Sequence, residues 1–331
     1  MTNIVIAAPV TPRMFAFAKT HKPGRELRPV VDKARTPTIN LEKATHRLLV
    51  PQLDGYPHTI TRSTDLVNIL KHISTPPKFI TVLDFKSLYL SINLPLVFCA
   101  IRDMLMHMIQ DNMLQQDILE MSHLFCHNSF FRFNGVTHKQ QRGVPMGSPV
   151  AGDLCEIVVR KLESEFLPSQ LPHILLYKRY IDDILILWKK IPNISTLIDT
   201  INNNPYGLTV ELDQADPNQA HLLDINIKIE VSSINTEVYH KPTAQPLYIP
   251  ATSCDPPQYK MAAFNTLIKR AYSHSSSQSA FNSEMRRIEH IAKQHDYHNV
   301  LCKINNKVLQ QQSDNTSHSN DSLVNHVQPG T

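Results

Sequence analysis

The stretch His173-Ile174-Leu175-Leu176-Tyr177-Lys178-Arg179-Tyr180-Ile181-Asp182-Asp183-Ile184-Leu185-Ile186-Leu187-Trp188 sets two adjacent carboxylates between apolar, β-favouring residues. Run as one strand, it would send Asp182 and Asp183 to opposite faces and bury at least one as an uncompensated charge, which is expensive. Two strands meeting at the aspartates avoid that cost. The spacing therefore predicts a hairpin with both carboxylates at its tip, where a cation can neutralise them, although the Asn-Gly pair of the tightest turns is missing. Alone, an Asp-Asp pair is an ordinary surface turn; its company gives it meaning.

Upstream, Phe79-Ile80-Thr81-Val82-Leu83-Asp84 reads as a buried strand ending in a carboxylate. Tyr89 follows within Phe85-Lys86-Ser87-Leu88-Tyr89-Leu90-Ser91-Ile92, a turn that can bring backbone N–H groups and an aromatic ring close to whatever Asp84 binds. In Gln140-Gln141-Arg142-Gly143-Val144-Pro145-Met146-Gly147-Ser148-Pro149, the glycines let the backbone come close to a bulky ligand. Ser148 is the expected N-cap, and Pro149 the first residue, of a helix running to about Phe166. Such a turn can bind phosphate, yet it is neither a Walker loop nor a dinucleotide fingerprint.

Lys19-Thr20-His21-Lys22-Pro23-Gly24-Arg25-Glu26-Leu27-Arg28-Pro29-Val30-Val31 places a Pro-Gly turn between two extended segments. Lys19, Lys22, Arg25 and Arg28 on one hairpin suit a phosphate chain, and equally a generic basic loop. Asn40 is the expected N-cap of a short helix with the stripe Leu41, Ala44, Leu48 and Leu49, ended by Pro51. Helices are expected at 63–74, 95–110, 114–127 and 193–202, with Met104 and Met108 in the core. His123, Cys126 and His127 lack the second ligand pair of a zinc site. A hairpin turns at Asn134-Gly135, a strand covers 208–212, and His221–Glu230 pairs with Thr236–Thr243. Residues 257–309 read as helical and basic, and 310–331 as a disordered polar tail.

The 331 residues suffice for a full core and two or three subdomains. Five cysteines, Cys99, Cys126, Cys155, Cys254 and Cys302, form no Cys-x-x-Cys pair and point to a reducing compartment. No apolar run approaches the roughly 18 residues of a membrane span, and the N-terminus does not read as a signal peptide, so a soluble intracellular protein with no membrane partner is expected. The net charge of +4 is unevenly spread: residues 1–50 carry nine Lys/Arg against three Asp/Glu, and 259–308 carry eight against three. Basic flanks around an acidic centre suit a polyanion gripped at both ends with divalent cations in the middle.

In this order, Lys19–Val31, Leu83–Ile92, Gly143–Pro149, Tyr180–Asp183, Leu222–Ile227 and Val238–Thr243 resemble the palm-type polymerases, specifically reverse transcriptases, and most closely those of Penelope-like retroelements, which are akin to telomerase. The resemblance implies an α+β right-hand fold: fingers-like 1–75, a palm with an antiparallel sheet and packed helices at 76–245, and a small helical thumb-like region at 246–309. It implies an RNA-directed DNA polymerase that uses two Mg²⁺ or Mn²⁺ ions, an RNA template, a DNA primer and dNTPs, in the nucleus. Asp84, Asp182 and Asp183 take the catalytic, metal-holding roles. Lys22, Arg28, Phe85, Ser87, Tyr89 and Gly147 fall at nucleotide-binding positions, with Tyr89 under the incoming sugar. Arg142, Gly143, Met146, Ser148, Tyr180, Leu223 and Asp224 fall at template and primer positions.

Met146 departs from the Gln of many reverse transcriptases, no GIY-YIG endonuclease motif is found, and the family's N-terminal extension is not recognised. A fragment, an endonuclease-lacking member or a decayed copy each fits, and the endonuclease partner is unknown. The competing expectation is a catalytically inactive nucleic-acid-binding remnant; an RNA-dependent RNA polymerase is disfavoured by Tyr89.

Overall fold

A computed structural model describes residue 6 and residues 8–18, 27–242 and 247–297. In chain order its elements are β1 (Arg13–Ala18), β2 (Leu27–Asp32), α1 (Ile39–Leu53), α2 (Ser63–Lys71), β3 (Phe79–Phe85), α3 (Leu88–Ser91), α4 (Leu94–Met108), α5 (Asn112–His127), β4 (Phe130–Phe133), β5 (Val136–Lys139), α6 (Ala151–Gln170), β6 (Ile174–Tyr180), β7 (Asp183–Trp188), α7 (Ile194–Asn202), β8 (Val210–Asp216), β9 (Gln219–Leu222), β10 (Ile225–Ile229), β11 (Ile234–Val238), α8 (Pro257–His274) and α9 (Gln278–Gln294). Contacts divide the chain into Met1–Ile60 with Pro77–Pro217, and Thr61–Pro76 with Asn218–Thr331.

In the first unit, the apolar runs seen around Asp84 and Asp182 pair into an antiparallel sheet of order β6-β7-β3-β8. Its register sets Leu83 against Ile184, Thr81 against Ile186 and Phe79 against Trp188. Leu83, Ile184, Ile186 and Trp188 share one core with Leu154, Val158 and Leu162 of α6. Each fully buried aliphatic side chain there contributes about 1.5–3 kcal/mol. The buried indole N–H of Trp188 donates to Thr81 Oγ1 at 2.6 Å, which removes the penalty of an unpaired donor.

A second sheet of the same unit runs β2-β1-β4-β5. Its β1–β2 hairpin pairs Arg13–Ala18 with Leu27–Asp32; β2 falls within the second expected extended segment, while the first, 19–22, lies outside the described residues. The Pro23-Gly24 turn, with Lys19, Lys22 and Arg25, lies outside the described residues. Asn134 and Gly135 close β4–β5 with positive φ at both positions (47° and 80°), as the Asn-Gly signal predicts.

In the second unit β9, β10 and β11 form a meander, and α8 and α9 bury Phe264, Ile268, Ile288 and Ala292 against one another. Ser277 caps α9 by accepting from the Ala280 N–H. The expected fingers-like, palm and thumb-like stretches are functional divisions and cross these units: residues 61–75 group with the elements after 217. The expected tail at 310–331 lies outside the described residues.

Three local expectations are corrected. The first helix begins at Ile39 and runs past Pro51 to Leu53; Thr38, not Asn40, precedes it, and its hydroxyl donates to Glu42 Oε1 at 2.6 Å. Ser148 does not cap α6, because its hydroxyl donates to Glu42 Oε2 at 2.6 Å; the helix starts at Ala151 and extends to Gln170. The stretch 221–230 is not one strand, since Leu223 takes a left-handed φ of 57° and the chain folds back between β9 and β10.

Candidate active site

Tyr180 pairs with Asp183, leaving Ile181 and Asp182 as a two-residue turn between β6 and β7. Only the first of them has positive φ, 54° at Ile181. This is the pattern of a type II′ turn, where glycine is favoured, and a β-branched residue there is strained by about 1–3 kcal/mol. Behind the turn, Arg179 is fully buried and reaches Glu163 Oε1 at 2.7 Å and Glu156 Oε2 at 2.8 Å. Burial would raise the Glu156 carboxyl, but Arg179 and then Arg160 outweigh it and bring it down to about 2.

On the neighbouring strand Asp84 stands opposite Asp183 on one side and opposite Glu211 of β8 on the other. Residues directly opposed across antiparallel strands share a face, with Cβ atoms roughly 4.5–5.5 Å apart. Three carboxylates thus line up across β7, β3 and β8. Asp182 is tied to the row through its carbonyl, which accepts from the Phe85 N–H at 3.0 Å. The register slips between Val82 and Leu83, and Asp213 is the extra residue of that β-bulge. Lys86 pairs with Glu211 at 2.9 Å.

The electrostatic result falls on Asp183. Burial first, then the charges of Asp182, Asp84 and Asp213, push its carboxyl up to about 7. Burial raises the Tyr89 phenol, with Cys155, Asp182 and Asp153 adding to it, so the ring lies within electrostatic reach of the turn. A Cβ placed on Gly152 in the first turn of α6 would sit 3.9 Å from the Tyr89 hydroxyl.

The glycine-rich segment approaches its own chain. A Cβ at Gly143 would lie 2.5 Å from Tyr89 O, and one at Gly147 2.2 Å from Val31 O. Val31 N–H also donates to Met146 O at 2.8 Å, so this turn holds β2, the strand of Arg28. Ser148 reaches Glu42, which is buried with Lys33 at 2.5 Å. Arg142 Nε donates to Ser91 O at 3.0 Å. The N–H groups of Phe85 and Lys86 are taken by Asp182 O and Thr209 O, while Ser87 turns the chain with φ of 51°.

Leu223 and Asp224 belong to the second unit. The Asp224 carboxylate accepts from the Ser63 hydroxyl. Arg270 Nε and His274 Nε2 reach it at 3.1 and 3.0 Å, ion-pair distances without hydrogen-bond alignment. Burial would raise this carboxyl, yet His274, Ser63 and Arg270 together hold it well below the usual range.

An antiparallel sheet backed by a long helix, with carboxylates at a hairpin turn and on the adjacent strand, is similar to the palm folds of nucleic-acid polymerases. The reverse transcriptase (RNA-dependent DNA polymerase) family matches residues 20–212, and the chain belongs to that family. Residues 247–306, which include α8 and α9, match the animal helix-turn-helix domain. Among solved structures, the telomerase of Candida albicans in complex with a fragment of telomeric RNA is similar with a TM-score of 0.63 and 14% identity, over 89% of this chain and 55% of that one. The telomerase of Candida tropicalis, also with a telomeric RNA fragment, gives 0.56 and 12% over 95% and 56%. The RNA-dependent RNA polymerase of a human picobirnavirus gives 0.50 and 12% over 84% and 55%. At these identities the likeness is one of fold, and the chain spans little more than half the length of those proteins. No curated protein matches the sequence.

Among the described residues no group of three or more His, Cys, Asp or Glu side chains is placed to hold a metal ion. The donor set nevertheless fits a hard divalent cation such as Mg²⁺ or Mn²⁺: all donors are oxygens, and Mg²⁺ is ordinarily held by one or two carboxylates plus substrate phosphates. Burial and then the repulsion of neighbouring carboxylates lift Asp183, and a cation would relieve the repulsion. Sequence reasoning missed Glu211 and Asp213, whose alignment depends on a bulge, and assigned nothing to Arg179, although it directly precedes Tyr180.

Proposed function

We propose that this chain is an RNA-directed DNA polymerase of the Penelope-like kind, extending a DNA primer with dNTPs on an RNA template. The observation that carries it is the meeting of Asp84 with Asp183 in register, with Asp182 bonded to the next residue of the same strand. Asp84 and Asp182 would hold two Mg²⁺ or Mn²⁺ ions, with Asp183 beside them. When bound, such ions stabilise the charge on the attacking and leaving oxygens. The primer 3′-oxygen bonds to the α-phosphorus, the bond to the bridging oxygen breaks, pyrophosphate leaves, and the hydroxyl proton passes to solvent.

The remaining roles are positional. Tyr89 stands where a 2′-hydroxyl would collide, and Arg28, with Lys22, offers charge to the triphosphate. Phe85 and Ser87 shape the turn beneath it. Gly147 and Met146 pack beside the template base, and Arg142, Gly143, Ser148 and Tyr180 flank the duplex. Leu223 and Asp224 would shape the primer-side hairpin through the fold, and α8 with α9 would form the thumb. Arg13, Phe15, Phe17, Arg28 and Arg132 share one exposed sheet face, a surface suited to a single-stranded polyanion with stacked bases. The resemblance to this kind of reverse transcriptase implies work in the nucleus.

The test is primer extension on an RNA template with Mg²⁺ and dNTPs. Extension that Asp182→Ala abolishes supports the reading; nucleic-acid binding without incorporation marks a silent remnant.

A further inference from the structure

The Ile181–Asp182 turn is held by something other than its own preference. Ile181 carries a side chain poorly matched to a φ of 54°, and such strain persists only where the surroundings over-determine it. Arg179 supplies the restraint. Its Nη1 donates to Ile181 O at 3.2 Å and to Glu156 Oε2 at 2.8 Å. Its Nη2 reaches Glu156 Oε1 at 3.1 Å, Glu163 Oε2 at 3.3 Å and Thr59 Oγ1 at 3.4 Å, and its Nε reaches Glu163 Oε1 at 2.7 Å.

Glu156 and Glu163 lie two turns apart on one face of α6, so the planar guanidinium spans the helix as a fork. Arg160 and the Tyr177 hydroxyl complete the two carboxylates. Burying so many charges is weak support for stability, because apolar residues of similar volume commonly serve the fold as well. The cluster does, however, also hold one backbone group. That group is the carbonyl of the strained residue immediately before Asp182.

We infer that Arg179 is a positioning residue, which uses α6 as a rigid reference to hold Ile181 left-handed and thereby aims Asp182 at the row formed by Asp84 and Asp183. This rests on the polymerase reading for its purpose, but the clamp itself is a property of the turn.

Four chains test it: wild type, Arg179→Lys, Ile181→Gly and the double variant. Two readouts are needed, hydrogen exchange of the peptide covering 177–186 and single-nucleotide addition. Arg179→Lys is expected to speed exchange in that peptide and to lower kcat about a hundredfold, the scale of a small misplacement, with KM for primer–template unchanged. Adding Ile181→Gly should restore both to within about tenfold, because glycine adopts positive φ unaided. Glu156→Gln, which slackens one arm of the fork, is read in the same way if Arg179→Lys does not fold. Unchanged exchange, or losses that Ile181→Gly does not relieve, overturns the inference. If the wild type adds no nucleotide, exchange alone decides the clamp, and it is the polymerase reading that fails.

Discussion

Asp84 and Asp183 stand directly opposite one another on adjacent antiparallel strands, with Glu211 continuing the row. Like charges so placed destabilise a sheet, and the fold accepts that penalty at the end of β3 and β7 where the hairpin turn also delivers Asp182.

The penalty is measurable. With its carboxyl raised from an ordinary 3.8 to about 7, Asp183 binds a proton more tightly folded than unfolded. The stability linked to that proton is complete below about pH 4 and is lost as the pH rises through 7. In metal-free buffer Asp183→Asn should therefore melt increasingly above wild type between pH 4 and 8.5. Saturating Mg²⁺ or Mn²⁺ should close the gap by raising the wild type alone. Melting curves with and without chelator check this, and a gap indifferent to pH would count against the electrostatic picture.

Gly147 tests the contact between the glycine-rich turn and β2. An alanine there would place Cβ 2.2 Å from Val31 O at a φ of 109°, whereas at Gly55, φ 72°, it meets nothing within 4 Å. Gly55→Ala should cost about 1–2 kcal/mol from backbone conformation alone. Gly147→Ala should cost about 1–3 kcal/mol more through overpacking and raise KM for dNTP, since β2 carries Arg28. Denaturant titration and steady-state kinetics separate the two; equal costs would mean that the turn yields easily.

Tyr89 sets the third expectation. Tyr89→Val should lower the preference for dNTP over rNTP, as a ratio of kcat/KM values, by at least about tenfold. An unchanged ratio would remove the steric role of the ring.

The hairpin at 181–182 was legible because period-two alternation and two neighbouring charges admit few other folds. Asp84 was legible as the charged end of an apolar strand. The break at 223–224 was not, because Leu223 turns the chain without a glycine and is secured by Asp224 contacts to distant Ser63 and Arg270. Nor was the start of α6, since Ser148 meets a Glu42 that lies 106 residues earlier. Gly143 and Gly147 signalled a close approach, but not that the approaching atoms belong to Tyr89 and Val31. Arg179 carried no local sign of facing inward; its partners on α6 become visible only once β6 packs against that helix.

The most direct measurement is anomalous diffraction from crystals of the full chain with primer–template, an incoming dNTP and Mn²⁺. The account predicts metal peaks about 2.1 Å from carboxylate oxygens of both Asp84 and Asp182. Nucleotide bound with metal peaks that touch neither aspartate, or only one of them, would contradict it.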